Sequence, residues 1–311
     1  MLSTAWSLPL FLTFLSTLAG CATGPTRVAD RADDRKLLAA VQTRVAELGP
    51  GARAAVWLGR PGQPPALAWN VDVPMPAASA IKAAYLVELF AARADALDQP
   101  LPGADAVLAD ATHPAVAHFT AAQRATARQA LGTASVRRIG EAMISSRGVD
   151  NATYNLAANL ATAFLGGPAA LDAKLHARSP EWHGLRVRRY MLANRTANGD
   201  NEATAHALAD VHGLLATFAV PGLSRLTIED CRATLVRPAD SLGRARYSKS
   251  GALDSEPITR VEAGWCVGPG GPLVHVVMLA QDGVPAGDRA AAGQRLGATA
   301  RAIQDLLLAR P

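Results

Sequence analysis

The chain has 311 residues, of which 50% are hydrophobic and 18% are charged, so it carries enough apolar material for a folded core and is not intrinsically disordered. Its net charge of +5 comes from 31 Lys and Arg against 26 Asp and Glu, but the basic residues are scattered and are not interleaved with aromatic residues, which argues against nucleic-acid binding. Four of the basic residues are lysines, which matter because an ammonium group can lose its proton and a guanidinium cannot: Lys36, Lys82, Lys174 and Lys249.

The amino terminus is typical of an export signal. Residues 2–18 are apolar and uncharged, but the stretch is too short and too often interrupted for a membrane span of about 20 residues. It ends in Leu18-Ala19-Gly20-Cys21, which resembles the lipobox of bacterial lipoproteins, although no Lys or Arg precedes it. The resemblance implies a signal peptide over residues 1–21, a lipid on Cys21 and a cell-envelope protein that faces the periplasm. An ordinary cleaved signal and a retained anchor are the alternatives.

Two further cysteines, Cys231 and Cys266, make an even pair in an exported protein. An oxidising compartment permits a disulfide between them. Two separate buried thiols are the other interpretation, since free cysteine is among the most buried residue types.

The apolar pattern beyond a linker over residues 22–29 predicts an α/β architecture. In chain order we expect a helix over residues 30–48, two strands over 54–58 and 66–69, and a long helical region over 79–218. Three more strands, over 245–248, 258–267 and 272–281, and a helix over 289–309 follow. Strands from both ends of the chain then share one sheet, so residues 30–75 and 220–311 form an α/β lobe and residues 76–219 an inserted helical lobe. The cleft between the two lobes is the expected site.

The first chemical signal is Ser79-Ala80-Ile81-Lys82, at the predicted start of the helical region. Positions i and i+3 share one face of a helix, so the Lys82 amine comes within reach of the Ser79 hydroxyl. A serine becomes a good nucleophile when a base removes its proton, and a lysine can be that base when it is desolvated or lies beside another cation. A helix N-cap serine followed by a surface lysine is the alternative.

The second signal is Lys249-Ser250-Gly251, on a predicted strand. With Ser79 and Lys82 it resembles the Ser-x-x-Lys and Lys-Thr/Ser-Gly signatures of the penicillin-recognising serine enzymes, which are the class A β-lactamases and related penicillin-binding proteins. The resemblance covers nearly the whole chain after the export signal. It implies a β-lactamase/transpeptidase-like fold, with a five-stranded antiparallel sheet, terminal helices and an inserted all-α lobe.

The resemblance also implies how a substrate is held. Lys249 would attract a substrate carboxylate and lower the proton affinity of Lys82, and Ser250 would hydrogen-bond that carboxylate. The backbone N–H groups of Ser79 and Ala252 would form an oxyanion hole.

Two further residues complete the expected substrate site. Gly251 would let the substrate lie against the strand as an added edge. Arg260 is a candidate second carboxylate clamp, with a surface role as the alternative.

The middle signature of the family, Ser-Asp-Asn, is altered and can be placed in two ways. The run from Asn155 to Asn159, followed by Gly-Gly-Pro, aligns without a gap and puts Thr153-Tyr154-Asn155 in the place of Ser-Asp-Asn. Thr153 could then relay a proton. The other placement uses Val149-Asp150-Asn151, demands an insertion within a helix and needs Ser145 or Ser146 as the hydroxyl. We prefer the first. A helix that merely packs the lobe is the structural alternative to both.

The glutamate by which class A β-lactamases activate the hydrolytic water also departs from the family pattern. Met191 stands in its place, and no Glu or Asp occurs between Trp182 and Gly199. Acylation can then proceed while deacylation slows, because loss of a general base typically costs about a hundredfold to ten-thousandfold.

These observations predict a monomeric serine acyl-hydrolase that opens β-lactam amides through a Ser79 acyl-enzyme. Lys82 is the base, Thr153 the relay, Asn155 part of the catalytic set and Lys249 the electrostatic anchor. The alternatives are a penicillin-binding D-Ala-D-Ala peptidase of the cell wall and a non-catalytic envelope binding protein. No Cys/His metal spacing and no nucleotide-binding glycine pattern occurs, so we expect neither a metal nor a cofactor.

Overall fold

The structure of the protein is a computed structural model that describes residues 27–28 and 32–309. The expected signal peptide, the lipid attachment at Cys21 and most of the expected linker lie outside the described residues. Within the described part, the α-helices are α1 (Ala32–Ala46), α2 (Lys82–Ala92), α3 (Ala104–Ala109), α4 (Ala121–Leu131), α5 (Val136–Ser145), α6 (Asn151–Phe164), α7 (Pro168–Arg178), α8 (Arg195–Asn198), α9 (Ala205–Ala216), α10 (Arg225–Leu235) and α11 (Arg289–Leu308). None of them has both the length and the apolar character needed to cross a membrane.

Nine strands accompany these helices in the same part of the chain. They are β1 (Arg27–Val28), β2 (Ala52–Gly59), β3 (Leu67–Trp69), β4 (Met75–Pro76), β5 (Glu202–Ala203), β6 (Val236–Arg237), β7 (Ala245–Leu253), β8 (Ile258–Gly268) and β9 (Gly271–Gln281). Seven form one antiparallel sheet in the order β1-β3-β2-β9-β8-β7-β6, while β4 pairs with β5. All five predicted strands are in the main sheet, but the expected count of five is corrected to seven. The additional edge strands β1 and β6 are two residues long, too short to produce an alternating sequence pattern.

The sheet separates two hydrophobic cores. Along β9, Val276 and Met278 face one core while Val277 and Leu279 face the other, as the two-residue period of a strand requires. Helices α1 and α11 pack on the second face, and α9 packs on β8 and β9 from the first. Strand β9 is therefore buried on both sides, which explains its nearly continuous apolar sequence.

Two helices lie differently from the expected division into lobes. Helix α9 falls within the expected helical lobe but covers the face of the sheet, whereas α10 falls within the expected α/β lobe and packs on α2 and α5. The expected lobes were bounded by position along the chain, whereas these two helices pack against elements of the other lobe.

Helix α2 runs through the middle of the helical side and is buried over most of its surface. It carries two buried residues of the charged types, Lys82 and Glu88. Glu88 accepts two hydrogen bonds from Arg178, at 2.8 and 2.9 Å, so α2 is tied to α7 by a bidentate ion pair. This fixes the helix that begins beside Ser79.

Cys231 and Cys266 are both buried and both free. Cys231 lies in the core on the helical side of the sheet, and Cys266 lies in the core beneath α1 and α11. The sheet stands between them, so the structure has two separate thiols rather than a disulfide.

Candidate active site

A cleft of about 890 Å³ lies where the turn before α2, the start of α6 and strand β7 meet. Its walls contain seven of the residues predicted from the sequence: Ser79, Asn155, Lys249, Ser250, Gly251, Ala252 and Arg260. Lys82 is fully buried behind this wall, and Thr153 is buried inside α6.

Ser79 lies in the turn that leads into α2. The preceding Ala78 has a φ of 48°, a left-handed conformation that costs about 1 kcal/mol or more and persists where the surroundings enforce it. The Ala77 N–H donates to the Asn201 carbonyl at 2.9 Å, and the Ala80 N–H donates to the Ala77 carbonyl at 3.0 Å. The turn thus holds Ser79 half-buried at the wall of the cleft.

Strand β7 passes directly beside this turn. A Cβ on Gly251 would lie 2.7 Å from the backbone nitrogen of Ser79 and 2.8 Å from that of Ala80, so a larger residue would push the strand away. Within the described residues, the Ser79 N–H donates to no acceptor. It borders the cleft together with Ala252, and these are the two residues expected to supply oxyanion donors.

Lys82 is fully buried, and its Nζ donates a hydrogen bond to Asn155 Oδ1 at 3.0 Å. The same Nζ lies 3.3 Å from the centroid of the Tyr154 ring. Burial, and then the charge of Lys249, hold the pKa of the Lys82 amine well below its usual range. A neutral amine one turn from Ser79 can accept a proton, although in this structure its bonded partner is Asn155.

Lys249 is 4% exposed on β7, and its Nζ donates to the Ser250 carbonyl at 2.7 Å. Burial, and then the charge of Arg237, lower the pKa of Lys249 to about 7, while Glu262 acts in the opposite direction. Glu262 lies opposite Ser250 on the neighbouring strand β8. This amine therefore changes its charge near neutral pH.

Arg237 is a cleft residue that the sequence did not indicate. It comes from the two-residue strand β6, beside β7, and its guanidinium donates to the carbonyls of Val236 at 2.8 Å and Ile144 at 3.4 Å. No ion pair holds it within the described part of the chain. With Lys249 it makes the end of the cleft beyond Ser79 positive, as an anion site requires.

Tyr154 is the most important residue that sequence reasoning missed. Its hydroxyl lies close enough to Ser79 to interact with it, and burial, as the main cause, raises the pKa of this phenol. The ring contacts Lys82, and Lys249 Nζ lies 5.3 Å from the ring centroid. The nucleophile and both lysines therefore meet at one aromatic side chain.

The start of α6 explains why Tyr154 rather than Thr153 faces Ser79. Asp150 is the N-cap of α6, and its carboxylate accepts the Thr153 N–H at 2.7 Å. A helix that begins at Asn151 puts residues 151, 154 and 155 on one face. Asp150, a typical N-cap residue, was the sequence signal for this phase.

Thr153, which we expected to relay a proton, lies inside α6. Thr153 is 1% exposed and does not line the cleft. Its backbone N–H is the group that Asp150 accepts from, while its hydroxyl has no hydrogen-bond partner among the described residues. The helical phase turns it away from Ser79.

The two asparagines of the gapless placement hold the two halves of the site. Asn155 binds Lys82, and its amide donates to the Asn151 carbonyl at 2.9 Å. Asn159 binds the backbone of Met191, accepting from its N–H at 2.6 Å and donating to its carbonyl at 3.1 Å. The contacts of Asn155 and Asn159 agree with the gapless placement of the motif. Helix α6 nevertheless begins at Asn151, the last residue of the alternative placement.

Met191, which the sequence aligns with the family's glutamate, lines the cleft and is 6% exposed. Its carbonyl also lies 2.8 Å from His118 Nε2. Both the N–H and the carbonyl of Met191 are therefore hydrogen-bonded, and its thioether side chain cannot act as a base.

A buried ion pair closes the loop that carries Met191. Arg189 binds Asp200 at 2.6 Å, and Arg195 binds the other oxygen of the same carboxylate. Asp200 lines the cleft, but its oxygens are occupied by guanidinium groups, so it does not replace the missing base.

Arg260 lines the cleft but is largely occupied by the protein itself. It donates to the carbonyls of Leu253 at 3.1 Å and Thr259 at 2.8 Å, and to Asp254 at 2.6 Å. Arg237, with weaker contacts, is the better placed second cation beside Lys249.

No three His, Cys, Asp or Glu side chains come together in a way that could hold a metal ion, so far as the described residues extend.

No protein-family model and no curated protein sequence matches the chain. Solved structures resemble it at low identity. The β-lactamase of Sphaerobacter thermophilus is 19% identical, with a TM-score of 0.59, over 88% of this chain and 98% of that one. A class A β-lactamase of the last common ancestor of Gram-negative bacteria is 21% identical, with a TM-score of 0.62, over 90% of this chain and 99% of that one.

A penicillin-binding protein gives a similar match. A mutant of PBP-A, solved as an acyl-enzyme complex with penicillin G, is 19% identical, with a TM-score of 0.57, over 87% of this chain and 97% of that one. The predicted fold class is confirmed: the chain has the α/β fold of class A β-lactamases, with an antiparallel sheet and many helices.

Proposed function

We propose that the protein is a serine acyl-transfer enzyme that opens β-lactam amides and retains the product as a long-lived ester on Ser79. The observation that carries the proposal is the convergence of Ser79 with two buried lysines, Lys82 and Lys249, at one cleft. The chain has only four lysines, and two of them lie here. Its fold, shared with β-lactamases and a penicillin-binding protein, supports the same conclusion.

In the proposed acylation step, Ser79 Oγ attacks the β-lactam carbonyl and Lys82 takes up its proton. The hydrogen bond between these two groups forms with substrate, as catalytic hydrogen bonds often do. The developing oxyanion is received by the N–H groups of Ser79 and Ala252.

The substrate is anchored by its carboxylate. Lys249 and Arg237 supply positive charge and Ser250 a hydroxyl, all on the cleft wall. A charged hydrogen bond of this kind contributes about 1.5–3 kcal/mol to binding. A β-lactam with a carboxylate beside its ring nitrogen fits this chemistry.

Retention of the ester follows from Met191. A thioether cannot remove a proton from water, and Asp200, the cleft carboxylate on the same loop, is paired with two arginines. Hydrolysis of the acyl-enzyme is therefore the slow step of the proposed reaction.

The proposal is tested by incubating the purified full-length protein with a fluorescent penicillin and separating it under denaturing conditions. We expect covalent label on the wild-type protein and none on Ser79→Ala. Label on neither protein would contradict the enzyme and favour a binding protein with this fold. Equal label on both would place the reactive group elsewhere.

A second function favoured by Met191 is that of a D-Ala-D-Ala peptidase. When such a peptide acylates Ser79, the leaving D-alanine diffuses out of the cleft, whereas the amine of an opened β-lactam stays attached. A site without a deacylating carboxylate can thus turn over peptides while a penicillin blocks it. Release of D-alanine from a peptide ending in D-Ala-D-Ala, absent in Ser79→Ala, would support this activity.

We further propose that the protein acts as a monomer in the cell envelope, anchored by a lipid on Cys21. The support is the lipobox-like sequence at residues 18–21. Labelled palmitate should be incorporated into the wild-type chain and not into Cys21→Ser. Incorporation into both would contradict the anchor.

A further inference from the structure

Tyr154 contacts three groups of the site at once. Its hydroxyl lies close enough to Ser79 to interact with it, and its ring centroid lies 3.3 Å from Lys82 Nζ and 5.3 Å from Lys249 Nζ. At the first distance the Lys82 nitrogen lies in contact with the face of the ring.

The position of Tyr154 is fixed by the helix that carries it. Asp150 caps α6, and Asn155, the next residue after the tyrosine, is bonded to Lys82 on one side and Asn151 on the other. A side chain held this way keeps its hydroxyl beside Ser79 without a rearrangement.

We propose that Tyr154 is a catalytic residue, the acid that gives its phenolic proton to the leaving nitrogen when Ser79 is acylated. The proposal rests on the proposed function and adds to it the group that completes the transfer. It assigns to Tyr154 the part that the sequence had suggested for Thr153.

The step balances as follows. The Ser79 Oγ–C bond forms while the Ser79 proton passes to the Lys82 amine. The C–N bond then breaks as Tyr154 gives its proton to the nitrogen. Lys82, beside the ring, returns the proton it holds to the Tyr154 oxygen. The net result is one ester, one N–H bond, and Tyr154 and Lys82 restored.

The other hydroxyls near this end of the cleft are directed elsewhere. Thr153 is buried inside α6 and does not line the cleft, and its hydroxyl has no hydrogen-bond partner among the described residues. Ser145 donates to the Glu141 carbonyl at 3.0 Å, and Ser146 donates to the Ser145 carbonyl at 2.7 Å. Tyr154 is directed at Ser79 instead.

Burial raises the pKa of Tyr154 above its ordinary value, so the free enzyme carries its phenolic proton at neutral pH. The group therefore has a proton to give, but its phenolate needs stabilisation when that proton leaves. A positive Lys82 beside the ring stabilises the phenolate during the transfer, which makes donation easier at the moment it is needed.

The test compares two acyl donors on Tyr154→Phe, which keeps the ring and removes the hydroxyl. Benzylpenicillin has an amine leaving group that must be protonated, whereas a thioester bearing a carboxylate leaves as a thiolate and needs no proton. We expect Tyr154→Phe to lower the rate constant of acylation by benzylpenicillin about a hundredfold or more and that by the thioester less than tenfold.

Tyr247→Phe is the matched control, because its ring stacks on Trp265 and does not line the cleft. It should acylate at the wild-type rate with both donors. A thermal melt of each variant reports its folding.

Three results would overturn the relay. Equal penicillin acylation of wild type and Tyr154→Phe removes it outright. An equal loss with both donors means that the hydroxyl only positions Ser79. No adduct on the wild-type protein with either donor contradicts the proposed function, and the relay falls with it.

Discussion

The side chain of Asn159 binds both polar groups of the Met191 peptide, the N–H at 2.6 Å and the carbonyl at 3.1 Å. An asparagine in a fully buried position on α6 thus fixes the backbone of the loop at the point nearest the cleft. A substitution at Met191 changes what the loop presents to an acyl-enzyme without changing where the loop lies.

Met191→Glu should therefore speed hydrolysis of the Ser79 ester. A carboxylate there can act as a general base toward water, an effect of about a hundredfold or more. The measurement is the rate at which penicillin adduct disappears after free penicillin is removed. Met191→Gln is the control, since it has the same shape and no base. If the glutamine variant accelerates as much, proton abstraction is not the cause.

Asn159→Leu should destabilise the protein. The substitution strands the N–H of Met191 and the Ala115 carbonyl, which accepts the Asn159 amide at 2.8 Å. The Met191 carbonyl loses the same amide but keeps His118. Buried polar groups without partners cost about 1–3 kcal/mol each, so we expect a loss of about 2–4 kcal/mol in urea unfolding. Asn198→Ala, on an exposed helix end, should cost less than about 0.5 kcal/mol. Similar values for both would contradict the role given to Asn159.

Acylation by a carboxylate-bearing penicillin should fall as the pH rises through about 7. Burial lowers the pKa of Lys249 to about 7, and only its protonated form attracts the carboxylate. Above that pH the second-order acylation rate constant should fall about tenfold per unit. Lys249→Arg keeps its charge, so its profile should lose this decline. A decline that persists in Lys249→Arg would assign the titration to another group.

Stability should also decrease with acid because two histidines are buried in neutral form. Burial lowers the pKa of His212 and of His275 to about 3, whereas in the unfolded chain it is near 6.5. Below about pH 6.5 the unfolded state binds protons that the folded state does not. The stabilisation is therefore complete above pH 6.5 and is lost as the pH falls toward 3.

Each histidine contributes up to about 1.4 kcal/mol per pH unit to this slope. Urea unfolding between pH 6.5 and 4.5 measures it, above the range in which most carboxylates titrate. The double variant His212→Leu, His275→Met should have a smaller slope even if it is less stable at every pH. An unchanged slope would show that these histidines are not its source.

The sequence predicted the fold well because the relevant patterns are local. The five main strands, the terminal helices and the turn with Ser79 each carry their own signal in periodicity or motif. The edge strand β6 does not, since its two residues are fixed by pairing with β7. Arg237 enters the cleft from that strand, so no local pattern could have indicated it.

Tyr154 was missed for a different reason. Whether residue 153 or 154 faces Ser79 depends on the phase of α6, which is set by the Asp150 cap. The expected alignment assigned the relay to Thr153 by its position in the motif, and consecutive residues of a helix point in different directions. A rotation of the helix by one residue decides whether Thr153 or Tyr154 faces Ser79.

The most direct test of the central claim is the lifetime of the penicillin adduct, followed by intact-mass spectrometry of the full-length protein and of Ser79→Ala. The account predicts that the wild-type mass rises by one penicillin, that the variant's does not, and that the adduct outlasts removal of free penicillin. Consumption of penicillin without a lasting adduct would reveal an efficient deacylating base and contradict the role given to Met191. No adduct and no consumption would contradict the acyl-enzyme itself.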